Sequence, residues 1–292
     1  VKHAYLAVVV WFVLLGLATR TIAKENQGQS AAIPWVEVAQ DNRSFVLRPS
    51  DQSFLPWGFN YDHDENRRLL EDYWDKEWPK VEADFQEMKQ LGANVVRAHL
   101  QFSKFMTGPD KPNDANLNRL DRLVTLAERL HLYLDITGLG CYHKQDVPEW
   151  YNRLGEEDRW NAQARFWAAV AGRCTKSPAI FCYDLMNEPV VPGGSRKAGD
   201  WLGPPFAGSC FVQFVTLDQK DRPRPAIARQ WCHKLVTAIR KHERHPTLCR
   251  SATRSATDFS GLMGTCGSPG SGTCSAVSSR SGLPGPGKPI LP

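Results

Sequence analysis

The stretch Ala179-Ile180-Phe181-Cys182-Tyr183-Asp184-Leu185-Met186-Asn187-Glu188-Pro189 decides the fold. Its first eight residues are apolar except for Asp184 and read as a buried strand. Pro189 stops that strand by removing a ladder donor, so Asn187 and Glu188 stand at the mouth of a sheet. Working outward, a helix is expected upstream over about 157–175, with Phe166, Trp167, Val170 and Ala171 on one face. Leu132-Tyr133-Leu134-Asp135-Ile136-Thr137 is a further strand, preceded by a helix over about 117–130 that aligns Leu120, Leu123, Val124 and Ala127. The buried run 93–100 comes before that, behind a helix over about 78–91 built on Val81, Phe85, Met88 and Leu91 and stopped by Gly92. The first strand is expected over 54–60. Downstream, Ile227, Trp231, Leu235 and Ile239 define a fourth helix over about 226–241.

Strands that alternate with helices pair in parallel, because each parallel pair needs a crossover. The fold class is therefore α/β. Strand exits near 60, 99, 137 and 186 set a pitch of about 40–50 residues, so the chain carries about four β/α units. No Gly-x-Gly-x-x-Gly follows the first strand, which weakens a nucleotide-binding open sheet. Polar residues collect at the strand C-terminal ends, where an open sheet and a barrel alike would carry their chemistry.

Composition narrows the partners. Of 292 residues, 42% are hydrophobic and 23% charged, with a net charge of +5 and no basic cluster interleaved with aromatics, so no nucleic acid partner is expected. The eight Cys have no Cys-x-x-Cys spacing, which argues against a zinc or redox motif, and Cys182 reads as a small core residue. Asp62-His63-Asp64 has no spaced partner, and neither a metal nor another cofactor is expected. Lys2 and His3 precede an uncharged, mainly apolar run over 4–18, expected to be a secretory signal over 1–23. That predicts a secreted or periplasmic protein, anchored in a membrane only where the segment stays uncleaved.

Glu188 can act as a general acid on a glycosidic oxygen if partial burial keeps it protonated; on these residues alone a solvated loop Glu beside a turn Pro fits as well. The strand ending Leu185-Met186-Asn187-Glu188-Pro189, Arg97 on an earlier strand and the opening Trp57-Gly58-Phe59-Asn60 together resemble glycoside hydrolase family 5, the cellulase and mannanase family of (β/α)8 TIM barrels. The resemblance covers roughly 36–245. It implies that Glu188 is the acid/base, that Asn187 holds the neighbouring sugar hydroxyl, and that Arg97 is the Arg that hydrogen-bonds the nucleophile. His143, six residues beyond Thr137, is a substrate-contact candidate in place of the His that closes the third strand in many members. Sugar rings pack on aromatic faces, so Trp57, Tyr61, Tyr142, Trp150 and Trp201 are candidate platforms for a polysaccharide or oligosaccharide, with plain packing as the alternative for each.

Retaining hydrolysis needs a second carboxylate about 5–5.5 Å away, in the family a Glu at the end of strand seven. Residues 246–292 contain no Glu, one acid (Asp258) and one aromatic (Phe259), and read as a low-complexity tail produced by a frameshift or a natural extension. No strand is expected in them. The partial barrel domain is placed at 33–245. Asp184 is set aside as nucleophile because four residues of strand rise would put it about 13 Å deeper than Glu188. The expected activity is weak or absent, and a carbohydrate-binding protein without catalysis is the rival reading.

Overall fold

Pro56 divides the first expected strand in two. In the computed structural model, which describes residues 32–242 and the backbone of 248–250 and 263–264, Phe54 ends one sheet and Gly58 begins another. The first sheet is antiparallel, β1 (Trp35–Val38), β2 (Phe45–Arg48) and β3 (Gln52–Phe54) in that order. Pro56 has no N–H to offer a ladder. Trp57 donates its own to the Asn94 side chain, Oδ1, at 2.7 Å. The expected signal at 1–23 and most of the tail lie outside the described residues.

The second sheet starts at β4 (Gly58–Tyr61). Helix α1 (Trp78–Gln90) follows, with Pro79 in its first turn, where a missing N–H costs nothing, and Trp78, Val81, Phe85 and Met88 buried. Gly92, at φ +91°, then supplies the left-handed residue beyond the helix. Next come β5 (Val95–Gln101) and α2 (Asp114–Leu130), the latter capped by Asn113, whose Oδ1 accepts from Ala115 N–H at 3.1 Å. Then follow β6 (Tyr133–Gly140), α3 (Glu156–Cys174) with three acids in its first turn, β7 (Ile180–Asp184) and α4 (Arg224–Arg240).

The four long strands pair in parallel in sequence order, with β4 at one edge. This is the α/β TIM-barrel arrangement in part: no closure occurs among the described residues. Helices cover its outer side, and complete burial of Phe85, Leu120 and Ile239 there is worth about 1.5–3 kcal/mol each.

Two local expectations change. β6 runs on to Gly140 instead of ending at Thr137, because Gly138 does not break the strand but lets it pass close to α3; a Cβ at Gly138 would stand 2.4 Å from the Trp167 ring. And a fifth parallel strand, β8 (Leu248–Arg250), pairs with β7, bordered by the antiparallel β9 (Met263–Gly264). Three residues, Leu-Cys-Arg, are too short a run to show as a strand pattern.

The antiparallel sheet packs under the starts of the parallel strands. Ile33, Val36, Phe45 and Phe54 cluster with Val95, Tyr133, Phe181 and Cys182, and Tyr133 donates its hydroxyl proton to Pro34 O at 2.7 Å. That end is therefore sealed with apolar side chains, and the strand C-terminal ends are left for chemistry.

Candidate active site

Register brings the polar side chains together. Asn60, Arg97 and Asp135 are neighbours across β4, β5 and β6, and Thr137 is level with Asp184 across β6 and β7. The Arg97 guanidinium joins them. Its Nη2 donates to Asp184 Oδ2 at 2.5 Å and to Asn187 Oδ1 at 3.3 Å, while Nη1 reaches Asn60 Oδ1 at 3.4 Å. Nε stands 3.8 Å from Asp135 Oδ2, and Thr137 Oγ1 donates to Asp184 Oδ2 at 3.3 Å. Asp184 is fully buried, so its partners must come from the protein.

Beyond Asp184 the chain leaves the ladder. Leu185 O accepts from the Trp167 indole N–H at 3.2 Å, and Glu188 takes a left-handed backbone, φ +44°. A return segment holds this turn: Pro189–Val190 pairs in parallel with Gln213–Phe214, and Asn187 Nδ2 donates to Phe211 O at 3.2 Å. Straight strand rise therefore does not describe the step from Asp184 to Glu188, and the 13 Å separation expected from it does not apply. Asp184 and Asn187 share a single guanidinium. Glu188 is partly buried.

A second polar chain runs beside the first. His99, two residues beyond Arg97, meets the Tyr142 hydroxyl through Nδ1 at 2.5 Å. Tyr142 N–H donates to Gln101 Oε1 at 3.1 Å, and Gln101 N–H donates to Glu71 Oε1 at 2.7 Å. Burial raises the Tyr142 hydroxyl far above its ordinary pKa and pushes the Glu71 carboxyl up to about 7. Phe211, partly exposed, packs its ring 5.0 Å from that of Tyr142. His99, Glu71 and Phe211 were not singled out from the sequence, and Asp184 was weighed there only as a nucleophile. Two-residue alternation from Arg97 could have found His99; Glu71, Phe211 and the pairing of Asp184 with Arg97 depend on tertiary contacts.

Of the expected residues, Arg97 and Asn187 come together, and Glu188 follows Asn187 directly. Others do not join them. Trp57 precedes β4, at the sealed end of the sheet, because the strand begins only after it. Tyr61 turns outward and donates to Asp84 Oδ2 of α1 at 2.6 Å. Trp201 is 1% exposed, its indole N–H bound to Asn152 O at 3.1 Å and its ring under Arg159 at 4.4 Å, so it is a packing residue and not a platform. Tyr142 is equally buried, and Trp150 packs against Phe102. His143 is in the loop after β6, with Nδ1 3.5 Å from Asp146 Oδ2. His63 pairs with Asp62 and Asp64 with Arg68, and among the described residues no group of three or more His, Cys, Asp or Glu is placed to hold a metal.

A parallel β/α sheet of barrel type, with Asn-Glu leaving its fourth strand over an Arg from its second, defines the glycoside hydrolase barrel class. Residues 58–249 match the model of Cellulase (glycosyl hydrolase family 5), and the chain belongs to that family. It is 25% identical over 199 residues to the probable glucan 1,3-beta-glucosidase A of Aspergillus fumigatus, an alignment covering 65% of this chain and 42% of that protein. The chain thus spans less than half the length of the curated relatives it matches. Among solved structures, a GH5_18 variant from Streptomyces cattleya in complex with Manb1-4GlcNAc superposes with a TM-score of 0.50 at 16% identity, covering 68% of this chain and 45% of that one.

Proposed function

We propose that the protein hydrolyses O-glycosyl bonds in a β-linked polysaccharide or oligosaccharide, with Glu188 as acid/base and Asn187 holding the adjacent sugar hydroxyl. The observation that carries this is the Arg97 guanidinium, which binds Asn187 and the buried Asp184 at the strand C-terminal ends, one residue from Glu188. Glu188 would protonate the departing oxygen and then deprotonate the incoming water. A relative's name as a glucan glucosidase and a structural neighbour's bound disaccharide support a carbohydrate substrate.

Retention requires a nucleophilic carboxylate, and the described residues after Glu188 contain no Glu. For the 292-residue chain by itself we therefore expect slow turnover or none. The same observation favours glycan binding without hydrolysis as the second reading. Export by way of the apolar N-terminal run belongs to this proposal. The test is hydrolysis of cellulose, mannan and aryl β-glycosides by the full chain and by Glu188→Gln. Turnover that Glu188→Gln abolishes supports the proposal, and turnover that survives it sinks the assignment of Glu188. Glycan binding with no turnover in either protein selects the second reading.

A further inference from the structure

Two residues at the site hold backbones that L side chains seldom adopt: Leu139 near the end of β6, at φ +58°, and Glu188, at φ +44°. Neither is Gly, Asn or Asp, so each conformation costs about 1 kcal/mol or more and persists only if neighbouring groups enforce it. One buried residue reaches both, Leu139 through its side chain and Glu188 through its backbone. Gln213 is 1% exposed, its Nε2 donates to Leu139 O at 2.7 Å, and its backbone N–H donates to Glu188 O at 3.3 Å. We propose that Gln213 is a positioning residue for Glu188, clamping the left-handed turn that presents the carboxylate to the left-handed bend of the neighbouring strand.

The surroundings make the clamp stiff. Val215 N–H donates to Val190 O at 2.9 Å, and Val215 O accepts from the Trp160 indole of α3 at 2.6 Å, so the segment carrying Gln213 is fixed to the helix layer on its far side. Phe214 N–H donates to Trp201 O at 2.8 Å, which ties the same segment to the buried Trp201. The amide has one workable orientation: reversed, it would set Oε1 against the Leu139 carbonyl oxygen, two acceptors facing each other. Gln213 touches no reacting atom in this scheme. It acts through the backbone of Glu188, and its catalytic consequence rests on the function proposed above.

The experiment compares Gln213→Met, which keeps length and removes the donor, with the parent and with Val215→Ala, which thins packing on the same segment. On the 13C,15N-labelled full chain, the Cα and Cβ shifts of Leu139 and Glu188 report their backbone regions directly. Gln213→Met removes the bond to Leu139 O but keeps the backbone N–H on Glu188 O. It is therefore expected to move Leu139 out of its left-handed values and, with the segment no longer tied to that bend, to shift Glu188 as well, while Val215→Ala leaves both in place. Unchanged shifts in a folded Gln213→Met protein overturn the inference. Should that variant fail to fold, Gln213→Glu decides. Protonated, the acid donates to Leu139 O as Gln does; ionised, it repels that oxygen, so parent-like shifts at low pH and displaced ones at high pH are expected, and shifts parent-like at both overturn the clamp. Where turnover is measurable, Gln213→Met should lower kcat by up to about 100-fold with KM within about twofold, the signature of a misplaced group. Loss of the assignment of Glu188 would appear separately, as turnover unaffected by Glu188→Gln.

Discussion

Glu71 is on the helical turn Leu70–Tyr73, and its carboxyl is buried, with Gln101 N–H on Oε1 and no hydrogen-bond partner for Oε2 among the described residues. Loss of hydration outweighs that one bond and the nearby Lys104, and the group is pushed from 4.5 up to about 7. The folded chain thus holds a proton that the unfolded chain releases between those two values. The stability this proton provides is complete below about pH 4.5 and is lost as pH rises through about 7. At about 1.36 kcal/mol per pH unit, the loss amounts to about 3 kcal/mol. Glu71→Gln keeps an acceptor for Gln101 N–H and carries no charge at any pH. Chemical unfolding of parent and variant at about pH 5 and about pH 8 should show the variant gaining about 2–3 kcal/mol on the parent between the two, part of the full effect being already lost at about pH 5. A difference constant to within about 1 kcal/mol would refute the reasoning, and a variant that loses ground at the higher pH would mean that the carboxylate is stabilised where it lies.

Arg97→Met should destabilise the fold by about 3 kcal/mol or more, since Asp184 is left buried without its cation; urea unfolding that registers less than about 1 kcal/mol would contradict the hub. Tyr61→Phe deletes the hydroxyl on Asp84 and should cost about 1 kcal/mol of stability without changing glycan affinity in titration calorimetry. Trp57→Ala, at the sealed end of the sheet, should likewise leave glycan affinity unchanged, and a fall of tenfold would return Trp57 to the site. Phe211→Ala, in contrast, should weaken oligosaccharide binding several-fold, because Phe211 is the partly exposed ring beside Tyr142 and carries the carbonyl that holds Asn187.

The parallel strands and their helices were legible because each buries a wide apolar face, and periodicity records burial. Asn187 and Glu188 stood out as polar groups following a buried apolar run, but their expected roles, and that of Arg97 in the interior of β5, came from the family resemblance and not from the pattern. The aromatic platforms were not legible. Trp57, Tyr61 and Trp201 differ in which end of a strand or which layer they face, and that is decided by Pro56, by Asp84 on α1 and by the Asn152 carbonyl, none of which leaves a periodic trace. The segment Gln213–Phe214 is two residues long and is a strand only because Pro189–Val190 lies beside it. The antiparallel sheet under the barrel is built from runs of three and four residues, whose partners are chosen by turns.

Asp184 gives the stretch from Ala179 to Pro189 its sense. In a strand buried at every position it is the one acid, and it occupies the last ladder residue before the chain turns away. An isolated carboxylate there would be costly, so its burial requires a donor, and Arg97 supplies one from the second strand. Satisfying Asp184 fixes the plane of the guanidinium, and a planar fork held in one orientation has its remaining N–H groups aimed in advance. One of them falls on Asn187, three residues further along, and another on Asn60. A Lys could neutralise Asp184 but would not impose those two directions. The buried acid is thus a structural cost that converts a flexible cation into a fixed one, and the residue next to Glu188 is oriented before any sugar arrives.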